Sequence, residues 1–318
     1  MTSATKQKKR RINKIKLKDN FWGYVLISPI YVGIILFVVI PLALSVYASF
    51  TAWPGQSPIF DARLIGWENY RRVLIADVEW GRLLSLRPWR AFYQNLFWRS
   101  TLNTIFYMIG IPVGLILSML AAVGMNRAIK GANAFRVIYY IPAVSSPIAI
   151  ALLFRFVFQT DGLLNRTLFF LPDFWWMRPP LDRVSIIILM VWRGLGGSAL
   201  LFIAGLQGIS TSYYEAAKLD GASGVSIFFR ITLPLLKPVI FFLVVTGIIG
   251  GAQLFVEPQM IFGDHNRYTF TVVQHIYNLR FNAPFAGMAS AASVVLAILI
   301  FIVTAFQFWI NGRRDKKA

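Results

Sequence analysis

The chain has no cysteine and only two histidines, His265 and His275, in one short stretch. Without thiols there is no disulfide framework, no thiolate metal site and no cysteine nucleophile. Two histidines are too little material for a histidine metal site or a catalytic triad. Charge is also scarce: 14% of the 318 residues are charged, against roughly a quarter in a soluble domain. Acids are the scarcest group, 13 Asp and Glu facing 32 Lys and Arg. No G-x-x-x-x-G-K-[ST] segment occurs, so the chain brings no phosphate-cradling loop of its own.

What is present is apolar. Hydrophobic residues make up 57% of the chain, in long runs rather than alternating with polar ones. One soluble core could not hide them, and lipid is the expected solvent. A net charge of +19 would by itself suggest nucleic acid. The basic residues sit between the apolar runs, however, and no nucleic-acid partner is expected.

A spanning helix needs about 20 largely apolar residues. Candidate spans lie at 23–50, 99–125, 137–158, 185–206, 236–256 and 285–311. Pro29, Pro41, Pro112 and Pro147 fall inside them and predict kinks that a bundle tolerates. Lys6, Lys8, Lys9, Arg10, Arg11, Lys14, Lys16 and Lys18 resemble the basic start of a signal peptide. The apolar run behind them, Phe21 to Phe50, is far longer than a signal core of roughly 7–15 residues. It reads as a retained first span behind a basic tail, residues 1–20.

Lys and Arg near the span ends set the orientation. With the N-terminus inside, the inner pieces are the tail, 126–136, 207–237 and the C-terminus at 313–318. They hold eight, three, three and four basic residues. The outer loops at 51–98, 160–184 and 257–284 hold six, three and two over far more chain, with nine of the acids. The expected fold is an all-α polytopic membrane protein with six transmembrane helices, N-in and C-in. Its membrane domain is 21–312. In the outer loop, Trp53, Trp67, Trp80, Trp89 and Trp98 suit the headgroup level, and Trp67 to Ile75 reads as a short interfacial helix. Packing at the membrane surface accounts for them; contact with an external partner is the other reading.

The inner loop 207–237 is the most informative segment. Ser212 with Glu215 three residues on is a capping-box pattern, predicting a helix from Tyr213 through Leu219. Gly221 suits the end of that helix. A second amphipathic helix is expected over about 223–231, sharing Ile227, Phe228 and Ile231 on one face, with Pro234 and Pro238 breaking it. The loop lacks clustered acids, histidines and hydroxyls for catalysis. Small Ala216, Ala217, Gly221 and Ala222 would let another surface approach, and Glu215 supplies one charge.

Here a family resemblance enters. Glu215-Ala216-Ala217, Asp220-Gly221-Ala222 and Ile231, Leu233 and Pro234 resemble the EAA motif of ABC-importer permeases. The string from Glu215 to Pro238 is similar to the carbohydrate-uptake branch, the maltose and glycerol-3-phosphate type. Ile65 to Tyr70, Leu102-Asn103-Thr104, Phe135-Arg136 with Ile141-Pro142, and Gly162 to Asn165 resemble further family segments. The resemblance covers roughly 20–312. One departure stands at Ile261 to Thr269, where the family's glycine-glycine-proline turn keeps only Gly263.

The resemblance implies a type I importer permease fold with a cytoplasmic coupling helix in a bacterial or archaeal cytoplasmic membrane. It implies a transport subunit and no enzyme. Implied partners are a second homologous permease, two cytoplasmic ATPase subunits that hold ATP and magnesium, an extracytoplasmic solute-binding protein and a di- or oligosaccharide. The chain itself is expected to bind no cofactor. Glu215, Ala216, Ala217, Asp220, Gly221, Ala222, Leu233 and Pro234 would then couple to the ATPase. Glu215 as a simple helix cap is the plainer reading, compatible with docking.

Polar residues at bilayer depth tend to face a bundle interior or a cavity. Asn103, Thr104, Arg155, Arg193, Gln253, Glu257 and Gln307 are of this kind. Gln253, Phe255, Glu257 and Asn103 are the candidates for a sugar path, with interhelical hydrogen bonds or snorkelling as the alternative. Arg155 is expected to snorkel at the outer interface, and Arg193 to need a partner. A secondary transporter or channel is the competing class. It leaves 207–237 without a purpose, and no inverted repeat is visible.

Overall fold

A computed structural model describes residues 22–78, 94–126, 132–159, 162–167, 181–263 and 268–315. The basic tail, Trp80, Trp89, His265 and the last lysines lie outside the described residues. Helices dominate, and a lone bridge between Thr51 and Leu64 is the extended pairing among the described residues.

In chain order the helices are α1 (Trp22–Ser49), α2 (Glu68–Leu74), α3 (Leu96–Met125), α4 (Ala132–Val144), α5 (Pro147–Phe158), α6 (Leu163–Thr167) and α7 (Leu181–Gln207). After them come α8 (Thr211–Leu219), α9 (Gly224–Leu235), α10 (Lys237–Ala252), α11 (Val256–Phe262), α12 (Val272–Tyr277) and α13 (Ala286–Asp315). Four of these, α1, α3, α7 and α13, are long and apolar enough to cross a membrane alone. The expected third span is instead a bent pair, and the expected fifth is α10 followed by a helix break, set at an angle to α9. Helices α4 and α5 meet at 103°, and α9 and α10 at 63°.

The bends follow the prolines. Pro147 opens α5 behind the Ser146 cap, where its missing N–H removes no helical bond. Pro41 and Pro234 each lie two residues beyond a wide π-type turn, Ile35–Val39 and Phe228–Thr232. A proline ring crowds the carbonyl four residues back, and the wider turn moves that carbonyl away. Helical structure thus runs through Pro234 to Leu235. The expected break at Pro234 falls at Leu236, before Pro238 in the first turn of α10.

Three buried clusters run down the bundle. Val73, Phe97, Val272 and Ala292 fill one end; Tyr107, Ile186, Leu189 and Leu254 fill the middle; Phe202, Leu206, Leu236 and Leu243 fill the other. Helix α7 packs on both α3 and α4, and α13 packs on the end of α1. Gly196 permits the α7–α4 contact, because a Cβ there would strike the Tyr139 carbonyl. The outward faces stay apolar: Leu26, Phe37, Ile116, Phe301 and Ile302 are exposed, as lipid contact requires. None of the apolar central stretch of α1 is buried.

Candidate functional site

The first candidate is the α8–α9 pair. Helix α8 starts two residues before the expected position. Its cap is Ser210, whose hydroxyl accepts from the Ser212 N–H at 3.4 Å and pairs with the Ser212 hydroxyl at 2.8 Å. The Ser212–Glu215 capping box is therefore a correction: Ser212 lies inside the helix, and an earlier serine outcompetes it. Glu215 is consequently released from capping. It is exposed and makes no ion pair among the described residues.

The far end of α8 matches expectation. Gly221 has φ +73°, its N–H donates to the Lys218 carbonyl at 3.0 Å, and the Ala222 N–H donates to the Ala217 carbonyl at 2.9 Å. This double closure is a Schellman turn, which favours glycine at that position. The chain reverses, and the Ser223 hydroxyl caps α9 by accepting from the Ser226 N–H at 3.3 Å. The helices are tied where the Thr232 hydroxyl donates to the Tyr214 hydroxyl at 3.3 Å.

The motif residues divide between two faces. Glu215, Ala216, Asp220, Gly221 and Pro234 are exposed, and Leu219 beside them is 90% exposed. Ala217 is buried, and Ala222 and Leu233 are half-buried. Ala217, expected to couple to a partner, is 8% exposed in this chain. Tyr214 and Thr232, which join that pair, were not singled out from sequence.

The second candidate is the opposite end of α10. The helix stops at Ala252, and Gln253–Leu254–Phe255 break it before α11 begins. Gln253 is exposed and Phe255 half-buried with φ −139°. Glu257 is 3% exposed, and Arg193 Nη2 of α7 lies 2.9 Å from its Oε1. Among the described residues that oxygen has no hydrogen bond of good geometry, so charge alone holds it. Arg193 thus has the partner it was expected to need. Its side chain is 34% exposed near the midpoint of α7. Hydrocarbon is a costly environment for a guanidinium. The open side of Arg193 is therefore suited to protein or water. Arg155 is exposed and donates to the Met260 carbonyl at 3.3 Å, attaching α5 to α11.

Asn103 performs a different task from the one expected. It is fully buried, and its amide donates to the Tyr268 carbonyl at 2.7 Å and the Phe270 carbonyl at 3.0 Å. Thr104 accepts from the Val272 N–H at 3.1 Å, and the Tyr107 hydroxyl donates to the Thr269 carbonyl at 2.9 Å. Thr271 in turn donates to the Leu254 carbonyl at 2.6 Å, inside the helix break. These bonds clamp segment 268–272 onto α3 and fix the break; they offer no group to a sugar. Gly263, the glycine kept from the altered turn, has φ +62°, and residues 264–267 lie outside the described residues.

Between α3, α7 and α10 lies a groove of about 270 Å³, lined in part by Gly110, Gly114, Gly194, Ser198, Thr246 and Gly247. Among the described residues there is no group of three or more His, Asp or Glu that could hold a metal.

An exposed helix–turn–helix on one end and a polar break on the other are what a coupled membrane permease requires. The chain belongs to the family of binding-protein-dependent transport system inner membrane components, the permeases of ABC importers, whose model matches residues 110–316. Relatives extend the match beyond that segment. The chain is 33% identical over 301 residues to the probable ABC transporter permease YesP of Bacillus subtilis, covering 92% of this chain and 90% of that protein. It is 34% identical over 239 residues to the lactose transport system permease LacF of Rhizobium radiobacter, covering 72% and 80%. Its fold overlays on a chain from a bacterial ABC transporter that imports the acidic polysaccharide alginate. The TM-score is 0.75 over 95% of this chain and 99% of that one, at 21% identity.

Proposed function

We propose that this chain is one half of the membrane path of an ATP-driven importer for a di- or oligosaccharide. It crosses a bacterial cell membrane six times with both termini in the cytoplasm, the bent α4–α5 pair making the third crossing and α10 the fifth. The outward face of α8–α9 carries the reading. Glu215, Ala216, Leu219, Asp220 and Gly221 form a small exposed knob where the chain turns between α7 and α10. A cytoplasmic ATPase subunit seats on that knob; two such subunits bind ATP and magnesium. The sequence of this chain carries no phosphate-loop motif of its own.

A second, similar permease completes the path. The bare faces of α1 and the open groove between α3, α7 and α10 support this, since each exposes small or apolar surface that a neighbouring bundle can cover. The reported relative that names its cargo names a sugar. Gln253, Phe255 and the Arg193–Glu257 pair line the path in this reading, and Asn103 positions them. An extracytoplasmic binding protein delivers the cargo at the end opposite α8–α9. Closure of the ATPase pair would move α8–α9, and the 63° joint with α10 passes that motion to the helix break.

The test is co-expression with the neighbouring permease, ATPase and binding-protein genes. The purified assembly should hydrolyse ATP faster when the loaded binding protein is added. A chain that purifies alone and transports sugar without ATPase would defeat the reading and favour a secondary transporter.

A further inference from the structure

A row of rings lies at the end of the bundle opposite α8–α9. Phe255, within the helix break, has its ring centroid 5.1 Å from that of Tyr277, and Tyr277 lies 4.7 Å from Phe281. Tyr277 and Phe281 are four residues apart on one helical run, so they share a face. Arg280 extends the row: its guanidinium carbon is 5.3 Å from the Phe281 ring and 5.2 Å from the Trp53 ring. The row is built rather than incidental. Arg280 Nη2 donates to the Gly55 carbonyl at 3.3 Å, and a Cβ on Gly55 would lie 2.5 Å from the same guanidinium. The Trp53 indole N–H donates to the Ser57 carbonyl at 2.8 Å, which holds the ring in place. None of the five side chains is buried, and Phe281 is 65% exposed.

We propose that Phe255, Tyr277, Phe281, Arg280 and Trp53 form an entry subsite that takes successive pyranose rings of an oligosaccharide face-on. The inference rests on the sugar-import reading above. A pyranose has an apolar C–H face and a rim of hydroxyls. Aromatic faces suit the first, and polar groups beside them suit the second. Here the polar groups are the Tyr277 hydroxyl, the Arg280 guanidinium and the exposed Gln253 amide. A monosaccharide covers one ring; a row of rings with an arginine set into it favours a chain. A docking protein could also cover exposed rings. The row, however, leads into the break, where Phe255 stands two residues before Glu257, and that continuity favours cargo.

The test uses proteoliposomes holding the whole importer with its binding protein, and a panel of labelled di- to pentasaccharides. Uptake of none of them by the wild type overturns the sugar reading itself, and this proposal with it. With a transported sugar in hand, Tyr277→Leu and Phe281→Leu should each slow uptake about five- to tenfold, more for longer oligomers. ATPase stimulation by the loaded binding protein should stay within about twofold of wild type. Tyr277→Phe and Phe281→Trp should restore most of the uptake. Wild-type uptake by both leucine variants overturns the proposal. So does weakened binding-protein docking with normal uptake at saturating binding protein, which would make the row a protein-docking surface.

Discussion

The two ends of α10 are built in opposite ways. The α8–α9 end is held by short-range bonds: a serine cap, a Schellman turn at Gly221 and the Tyr214–Thr232 contact, all within 18 residues. The other end is held by long-range ones. Asn103 reaches residues 268 and 270, Arg193 reaches Glu257, and Arg280 reaches Gly55. On the proposed reading α8–α9 docks and moves as a unit, and such a part benefits from carrying its own scaffold. A part that must shape a path benefits from being fixed by several helices at once, so that helix motion reaches it.

The largest expected effect sharpens the first half of that contrast. Gly221→Pro removes the N–H donated to Lys218 and cannot adopt φ +73°. ATP-driven uptake should fall at least about tenfold while the chain still inserts, because one lost tenfold is only about 1.4 kcal/mol of coupling. Uptake assays paired with membrane fractionation check it. Gly221→Ala, with about 1–2 kcal/mol of left-handed strain, should give a milder loss.

Next comes the Arg193–Glu257 pair. Glu257→Gln leaves Arg193 without its counter-charge and should destabilise the assembly by about 2 kcal/mol. That is below the usual 3–5 for fully buried pairs, because Arg193 is partly open. Thermal melting in detergent measures it, and the Arg193→Glu/Glu257→Arg exchange should recover part. If the single variant melts like wild type, the ion pair does not hold α11.

The alanines of the motif test the division between its faces. Ala217→Leu overfills a site that is 8% exposed and should cost about 1–3 kcal/mol. Ala216→Leu, on the exposed face, should leave melting unchanged and reduce co-purification with the ATPase. Equal behaviour of the two would erase the inner and outer faces. Asn103→Leu removes the donor to the Phe270 carbonyl and leaves the Tyr268 carbonyl only Arg183 Nη2 at 3.4 Å, and about 1–3 kcal/mol should be lost, read as a lower melting temperature with the protein still able to insert.

The smallest effect lies at Glu68. Hydrogen bonds from Arg71 and Arg72 at 2.8–3.0 Å hold its carboxyl down at about 2. A depressed carboxylate contributes above its unfolded value of 4.5 and loses that contribution as pH falls toward 2. The group is screened by solvent, Glu68 being half-buried and both arginines exposed, so Glu68→Gln should not measurably shift melting at neutral pH, and the variants should converge further below pH 4.5.

The same contrast explains what could be read in advance. The α8–α9 pair was legible because its signals are local: alanines, a glycine at a helix end, prolines at a fixed distance. Even there the competition between Ser210 and Ser212 for the cap was decided by three-dimensional turn geometry. At the far end, Arg193 and Glu257 were both conspicuous as charges in apolar runs. Nothing in the 63 intervening residues says that they meet. Asn103 looked like a path residue because a polar group in a span has two uses, and only its acceptors distinguish them. Tyr277 and Phe281 carry an i, i+4 signal that fits an ordinary buried face equally well; Trp53 and Arg280 join them only through folding. The bends between α4 and α5 and between α9 and α10 were hidden because hydropathy counts residues and is blind to direction.

The wide turns at Ile35–Val39 and Phe228–Thr232 have a consequence for how this chain tolerates insertions and deletions. Each turn holds one residue more than a regular helix would, placed just ahead of a proline. Deleting a single residue there would restore textual regularity and drive the proline ring against a carbonyl. Elsewhere in a helix such a deletion merely rotates the remaining face by about 100°. These two five-residue stretches are thus places where reading length, rather than residue identity, is under constraint.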